Sequence, residues 1–381
     1  MRVLIHALGA TMGGAQRHLA GFLPALSTAG RNHAFRVIVR TGFEYVGSAN
    51  VELCRIDDRS YTTGVARTWF DNINIPRLAR HFRADAILSL LNLGPICPNV
   101  PHVIMERNAL LFAKKYWKLF GPWEVMRFRL QRLLATACMR RAKVIITPSH
   151  YMACLIREEC RSLPVKRFAV LPHAFTESGY QHELDRETVL RLDSRPGTKI
   201  LYPCLAGPHK GIDLLLKIAR AIPESLNANI FVTGGEEGGA VINESQRRAG
   251  ELGVNKKLVF LGRIPQQQMS ALYQACDLLL YVSPVESFGF PLLEALAFGL
   301  PIVAVDTPVN REVCGSAARY FSGGNPEMAA RAIEEALRRI EDMRVASQKQ
   351  FDSRDRTWDT YVRILLRILE SEINTDHPNG E

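Results

Sequence analysis

The chain has 381 residues, 47% hydrophobic and 23% charged, with a mean hydropathy of −0.04. That length holds two domains with full cores, and the balance excludes a disordered or collagen-like chain. No apolar run reaches spanning length, and MRVLIHALGA turns at once into a glycine-rich loop, so neither a transmembrane helix nor a secretory leader is expected. Eight cysteines without a CxxC pair imply reduced thiols and a cytoplasmic setting, not a disulfide framework or a zinc site. The net charge of +10 is uneven: residues 1–190 carry 26 Lys and Arg against 14 Asp and Glu, and residues 191–381 carry 22 against 24. The first half therefore suits an anionic partner: a lipid surface, a phosphorylated acceptor or nucleic acid.

Arg2 to His6 reads as a first buried strand, and Gly9 to Ala15 as a glycine-rich turn into a helix from Gln16 to Ala29. Glycines at such a turn let backbone N–H groups, Gly13 and Gly14 among them, approach a pyrophosphate. The loop is not GxGxxG, and no acidic residue follows at the spacing dinucleotide binding needs. Phe35–Arg40, Asp85–Leu90, His102–Met105 and Ala142–Thr147 read as further strands. Met105-Glu106-Arg107-Asn108 follows one of them. Arg107 suits a phosphate or carboxylate and Asn108 a hydroxyl, or Arg107 simply pairs with Glu106 or a neighbour. Residues 111–143 hold nine Lys and Arg, one acid and several aromatics. They are either an interfacial amphipathic stretch on an anionic membrane or a solvated face with Trp117 and Trp123 in the core. No nucleic-acid reader motif accompanies them. His6, His18 and His173 read as core or rim histidines.

Residues 174–196 are polar and read as an interdomain linker. Beyond them, Lys199–Pro203 is a strand, and Pro208-His209-Lys210-Gly211 turns into a helix from Ile212 to Ala221. Lys210 there is the best candidate for a phosphate-facing cation. Asn229–Thr233 leads to Gly234, and Leu258–Gly262 to Arg263. Gln266–Ala275 reads as a helix. The most informative stretch is Asp277 to Thr307: strand, loop, helix, turn, strand, the pattern of a parallel βαβ unit. Ligands of open parallel sheets bind where strands hand over to helices. Two carboxylates mark that handover, Glu286 in the loop and Glu294 in the helix, with Phe288, Gly289 and Phe290 between them. A carboxylate pair suits gripping neighbouring hydroxyls. Glu327–Arg339 is amphipathic, as is Trp358–Leu369; residues 371–381 are expected to fray.

ESFGFPLLEALAFGLPIVA resembles the E-x-F-G-x-x-x-x-E-A-x-A-x-G-x-P-V-V-A signature of retaining, nucleotide-sugar-dependent glycosyltransferases of the GT-B fold, family 4. The resemblance extends to the glycine turn and to the A-x-x-V-I-x-x-S and V-L-P-H steps. It implies an α/β fold of two Rossmann-like doubly wound domains facing a central cleft. Residues 1–175 would form the acceptor-side domain, 190–355 the nucleotide-sugar domain, with the helix at 357–370 packing back on the first. It further implies a nucleotide-diphosphate sugar as donor substrate, no cofactor, metal-independent transfer (there is no Asp-x-Asp) and a glycan or lipid-linked acceptor in cell-surface polysaccharide synthesis. Glu286 would hold donor-sugar hydroxyls and Glu294 the ribose diol. Gly13, Gly14 and Lys210 would hold the diphosphate, with Gly234 at the base. Arg107 and Asn108 would join Glu286 and Lys210 at the reaction centre. The family's commoner pattern places an Arg where Leu205 stands, so His209 or Arg263 would supply the second cation. A sugar-nucleotide 2-epimerase and a non-catalytic nucleotide-sugar-binding protein are the competing readings. Donor, acceptor and linkage have no readable code.

Overall fold

The computed structural model describes all residues except 11–13, 58–60, 62–63, 162, 164–166, 176–182, 205–206, 235–238, 352–355 and 376–381. The chain divides into two units, Met1–Thr176 with Arg354–Glu381, and Glu177–Ser353.

Unit 1 runs β1 (Arg2–His6), α1 (Gly14–Thr28), β2 (Ala34–Arg40), β3 (Val51–Ile56), α2 (Gly64–Phe82), β4 (Ala86–Ser89), β5 (His102–Met105), α3 (Pro122–Arg141), β6 (Val144–Thr147), α4 (His150–Glu159) and β7 (Arg167–Val170). Its seven strands are ordered β3-β2-β1-β4-β5-β6-β7 and every pairing is parallel. β4, β5 and β6 are buried at every residue, as strands covered on both faces must be. On one face lie Leu19, Phe22, Leu23 and Leu26 of α1. On the other, α2 packs Phe70, Ile75, Ala79 and Phe82 against Leu4, Ile38 and Ile87.

Unit 2 runs α5 (Arg186–Asp193), β8 (Thr198–Tyr202), α6 (Ile212–Ala221), β9 (Ala228–Thr233), α7 (Gly239–Glu251), β10 (Leu258–Gly262), α8 (Met269–Ala275), β11 (Leu278–Tyr281), α9 (Phe290–Ala297), β12 (Ile302–Val305), α10 (Pro308–Cys314), β13 (Ala318–Phe321), α11 (Pro326–Arg338) and α12 (Ile340–Gln350). Its sheet is parallel in the order β10-β9-β8-β11-β12-β13. The chain then returns to unit 1 as α13 (Trp358–Thr375). Trp358, Tyr361, Val362, Leu365, Leu366 and Leu369 enter the unit 1 core there. Gly21 of α1 makes the room, since a Cβ on it would collide with the Trp358 indole.

Several elements depart from the sequence reading. Residues 174–196 contain α5, started by Asp185, whose carboxylate accepts from the Thr188 amide; its short span hides the helical period. The last helix continues to Thr375; residues 376–381 lie outside the described ones. The helix expected at Gln266 begins as a 3-10 turn over Gln266–Gln268. Neither β3 nor α2 was foreseen: β3 has a half-exposed alternation, and α2 carries Pro76 and a buried Asp71.

Candidate functional site

In unit 2 the residues singled out from sequence gather where β8 and β11 end. After β8, Pro208–Lys210 forms a 3-10 turn and Gly211 turns the chain into α6. Gly211 is required twice over: its φ is +82°, and a Cβ would stand 2.7 Å from the Val282 carbonyl oxygen. This packs the turn against the end of β11. The Tyr202 hydroxyl donates to the Lys210 carbonyl at 2.6 Å. Lys210 Nζ then donates to Glu286 Oε1 at 2.7 Å; the two side chains are 23% and 15% exposed. Burial alone would raise the Glu286 carboxyl, but the Lys210 ammonium and the Ser283 hydroxyl outweigh it and hold it below its usual range. Glu286 is thus an ionised carboxylate already facing a cation. Three residues on, Gly289 at φ +95° opens α9, with Pro291 in its first turn. A carboxylate, an ammonium and a helix N-terminus can together hold hydroxyls and a growing phosphate charge.

Glu294 stands differently. It is wholly buried in α9, where Oε2 accepts from the Tyr273 hydroxyl at 2.8 Å and Oε1 from Gln266 Nε2 at 3.4 Å. Spacing alone could not show this. Sequence reasoning missed Tyr273 and Gln266 as the partners of Glu294. His209 does not supply a second cation: burial, with the Lys210 charge beside it, pulls its pKa to about 4, so it is neutral at pH 7. Arg263 is exposed past the end of β10, two strands from β8. Gly234 follows β9 and donates to the Gly262 carbonyl at 2.8 Å. Phe288 is buried and its ring meets Phe290 edge-on at 6.5 Å. Gly13 and Leu205 lie outside the described residues.

In unit 1, Arg107 and Asn108 follow β5. Asn92, in the left-handed region at φ +50°, places Oδ1 to accept from the Arg107 amide at 2.7 Å and the Asn108 amide at 3.1 Å. Sequence reasoning missed Asn92; its one signal was an Asn just past a strand, a residue that tolerates that conformation. Asn108 Oδ1 accepts from the Leu110 amide. Arg107 Nη2 donates to the Gly14 carbonyl at 3.4 Å. The ion pair with Glu106 does not form: Glu106 is fully buried and neither carboxyl oxygen has a partner among the described residues. Burial raises that carboxyl well above its usual range. His6, His18 and His173 are buried, as the sequence suggested. Trp117 is buried, its indole donating to the Leu110 carbonyl, whereas Trp123 is 86% exposed on α3. Among the described residues no helix is long and apolar enough to cross a membrane.

Two parallel-sheet Rossmann-like units in one chain define the GT-B fold. Sucrose-phosphate synthase from Thermosynechococcus elongatus superposes with a TM-score of 0.75 over 99% of this chain and 100% of that one, at 14% identity. WaaG, a glycosyltransferase involved in lipopolysaccharide biosynthesis, does so at 0.68 over 98% and 99%, at 17% identity. Residues 196–352 match the family described as Glycosyl transferases group 1, a stretch that contains Lys210, Glu286 and Glu294. The serotype-specific mannosyltransferase WbdA of Escherichia coli is 32% identical over 146 residues, 38% of this chain and 18% of that protein, so the match spans under a fifth of that relative's length. The O-antigen chain mannosyltransferase RfbU of Salmonella typhimurium is 24% identical over 248 residues, 65% of each.

Proposed function

We propose that the protein is a glycosyltransferase that moves a sugar from a nucleotide-diphosphate donor to a glycan or lipid-linked acceptor in cell-surface polysaccharide synthesis, with retention and without a metal. The observation that carries this reading is the Lys210–Glu286 pair beside the N-terminus of α9. The relatives named as a serotype-specific mannosyltransferase and an O-antigen chain mannosyltransferase support the pathway type. Lys210 would neutralise the departing diphosphate, doing the work a metal does elsewhere. Glu286 would fix donor-sugar hydroxyls. For Glu294 to reach a ribose diol, its Oε1 would exchange the long Gln266 bond for the ligand.

An exposed face of α3 supports a peripheral contact with anionic membrane. Trp123, Met126, Leu130 and Leu133 are all exposed, at spacings of three and four that align them on one side. Arg127, Arg129, Arg140 and Arg141 are exposed on the same helix. Apolar side chains among arginines suit a bilayer interface.

A thermal-shift panel of UDP-, GDP-, ADP- and TDP-sugars tests the donor reading. The true donor at a hundred times its dissociation constant should stabilise by about 2.7 kcal/mol. Lys210→Ala should abolish the shift while the protein stays folded. A shift that survives this substitution removes Lys210 from the site, and conversion of the donor alone to an isomer would instead identify an epimerase.

A further inference from the structure

Two loops at the C-terminal edge of the unit 1 sheet are tied together by one side chain. β4 and β5 are neighbours in that sheet, and parallel sheets take ligands where such strands end. Asn92 lies just past Ser89, the end of β4. Arg107 and Asn108 lie just past Met105, the end of β5. The Asn92 amide donates to the Met105 carbonyl at 2.9 Å. Its Oδ1 accepts from the Arg107 amide at 2.7 Å and from the Asn108 amide at 3.1 Å. One residue thus fixes the backbone on both sides of Glu106, from Met105 to Asn108.

Asparagine suits this place on two counts. Its φ is +50°, in the left-handed region that asparagine tolerates and bulky or branched residues avoid. Its side chain is short and ends in an uncharged acceptor, so two successive amides meet one oxygen with no carboxylate set beside Arg107. Successive backbone N–H groups otherwise make a concavity for an anion. Here the carboxamide oxygen fills it, and the turn is satisfied from within the protein. Asn108 Oδ1 is itself engaged, capping the 3-10 turn Ala109–Leu111 through the Leu110 amide at 3.1 Å. The Asn108 Nδ2 group is then the donor left for a hydroxyl.

We propose that Asn92 is a positioning residue for sugar transfer: by holding the Arg107–Asn108 turn, it sets the guanidinium and the Asn108 carboxamide in place before a substrate arrives. Misplacing a catalytic group by about an ångström costs on the order of a hundredfold in rate. A side chain that touches no reacting atom therefore governs turnover through the two that do. The proposal rests on the glycosyltransferase reading for the step it serves, whereas the clamp stands on unit 1 alone.

Two substitutions in the full chain test it. Asn92→Gly keeps the left-handed backbone and removes the acceptor, and Asn92→Asp keeps both. Asn92→Ser, whose hydroxyl stops one bond short of the amides, serves if the glycine variant does not fold. The reaction followed is release of nucleoside diphosphate from UDP-glucose, GDP-mannose, ADP-glucose and TDP-glucose, with water in the acceptor's place. The anomeric carbon exchanges its bond to the diphosphate oxygen for one to the water oxygen, and the water's proton goes to the diphosphate. Asn92→Gly should lower kcat by about tenfold or more and leave the donor KM unchanged, at a temperature where circular dichroism shows it folded. Asn92→Asp should bring kcat back to near the wild-type value. Amide hydrogen exchange followed by NMR needs no substrate. In Asn92→Gly the Arg107 and Asn108 amides should exchange about tenfold faster or more, with Val103 and Ile104 unchanged, and Asn92→Asp should protect them again. Wild-type kcat in Asn92→Gly, a loss that falls wholly on KM, an aspartate variant no better than the glycine one, or two amides that stay protected in Asn92→Gly overturns the proposal. A wild type that releases no diphosphate from any of the four donors sinks the glycosyltransferase reading instead, and amide exchange still decides the clamp.

Discussion

At the scale of single residues, the Lys210–Glu286 bond has an energetic signature apart from any ligand. Both side chains are mostly shielded. Removing one partner strands the other charge in a poorly solvated place, which costs on the order of 1–3 kcal/mol. Removing both charges together leaves no stranded ion. Lys210→Met and Glu286→Gln should therefore each lower stability to urea more than the double variant does. A double variant that loses the sum of the two would mean the side chains do not interact. Both residues were legible in the sequence because each stands in a turn with strong punctuation, Pro208 and Gly211 for one, Pro284 and Gly289 for the other. Asn92, Tyr202 and Tyr273 were not legible. Their importance lies in what their side-chain oxygens touch across the fold, and no local pattern records that. The burial of Glu294 was illegible for the same reason: a carboxylate eight positions from its neighbour looks alike whether it meets a ligand or a buried tyrosine.

At the scale of elements, short apolar runs bounded by proline and glycine, such as β6, β11 and β12, were readable because central parallel strands need no alternation. β3 escaped because it lies at the sheet edge, where half-exposed residues dilute the signal. α5 escaped despite its Asp185 cap, since eight residues hold barely two turns. The basic stretch at 111–143 was visible as composition, but composition could not say which tryptophan faces outward. With α3 described, the membrane reading becomes specific. Leu130→Glu and Trp123→Ala should each reduce co-sedimentation with phosphatidylglycerol vesicles by roughly tenfold or more, since about 1.5 kcal/mol for burying one such side chain is already a factor of about ten. Phosphatidylcholine vesicles should capture little even of the wild type. Equal capture by both lipids would leave α3 as a solvated face.

At the scale of the whole molecule, unit 1 is the acid-sensitive one. Burial pulls His6 and His102 to about 3, and His18 and His173 well below the ordinary value. Unfolded, all four would titrate near 6.5. Below that pH the unfolded chain binds four protons that the folded one refuses, so stability falls as pH falls. Asp71, raised to about 7, and Glu106, raised well above its ordinary range, act in the opposite sense, since the folded state holds their protons where the unfolded one releases them. The four histidines outnumber the two carboxyls, so the net effect is a loss of stability as pH falls below about 6.5. All four tryptophans lie in unit 1, so indole fluorescence follows that unit alone. Its urea midpoint should drop steadily from pH 6.5 to 5, and a flat midpoint would overturn the assignment of these histidines as neutral.

The return of the chain to unit 1 also orders events at the ribosome. Proteins made of successive domains commonly complete the first before the second emerges. Here α1 must wait for Trp358 and the apolar stripe behind it, while every residue of unit 2 is translated in between. The newborn polypeptide should therefore mature in reverse. The later-encoded lobe would close first, and the earlier one would stay open to chaperones and proteases until its final helix clears the exit tunnel.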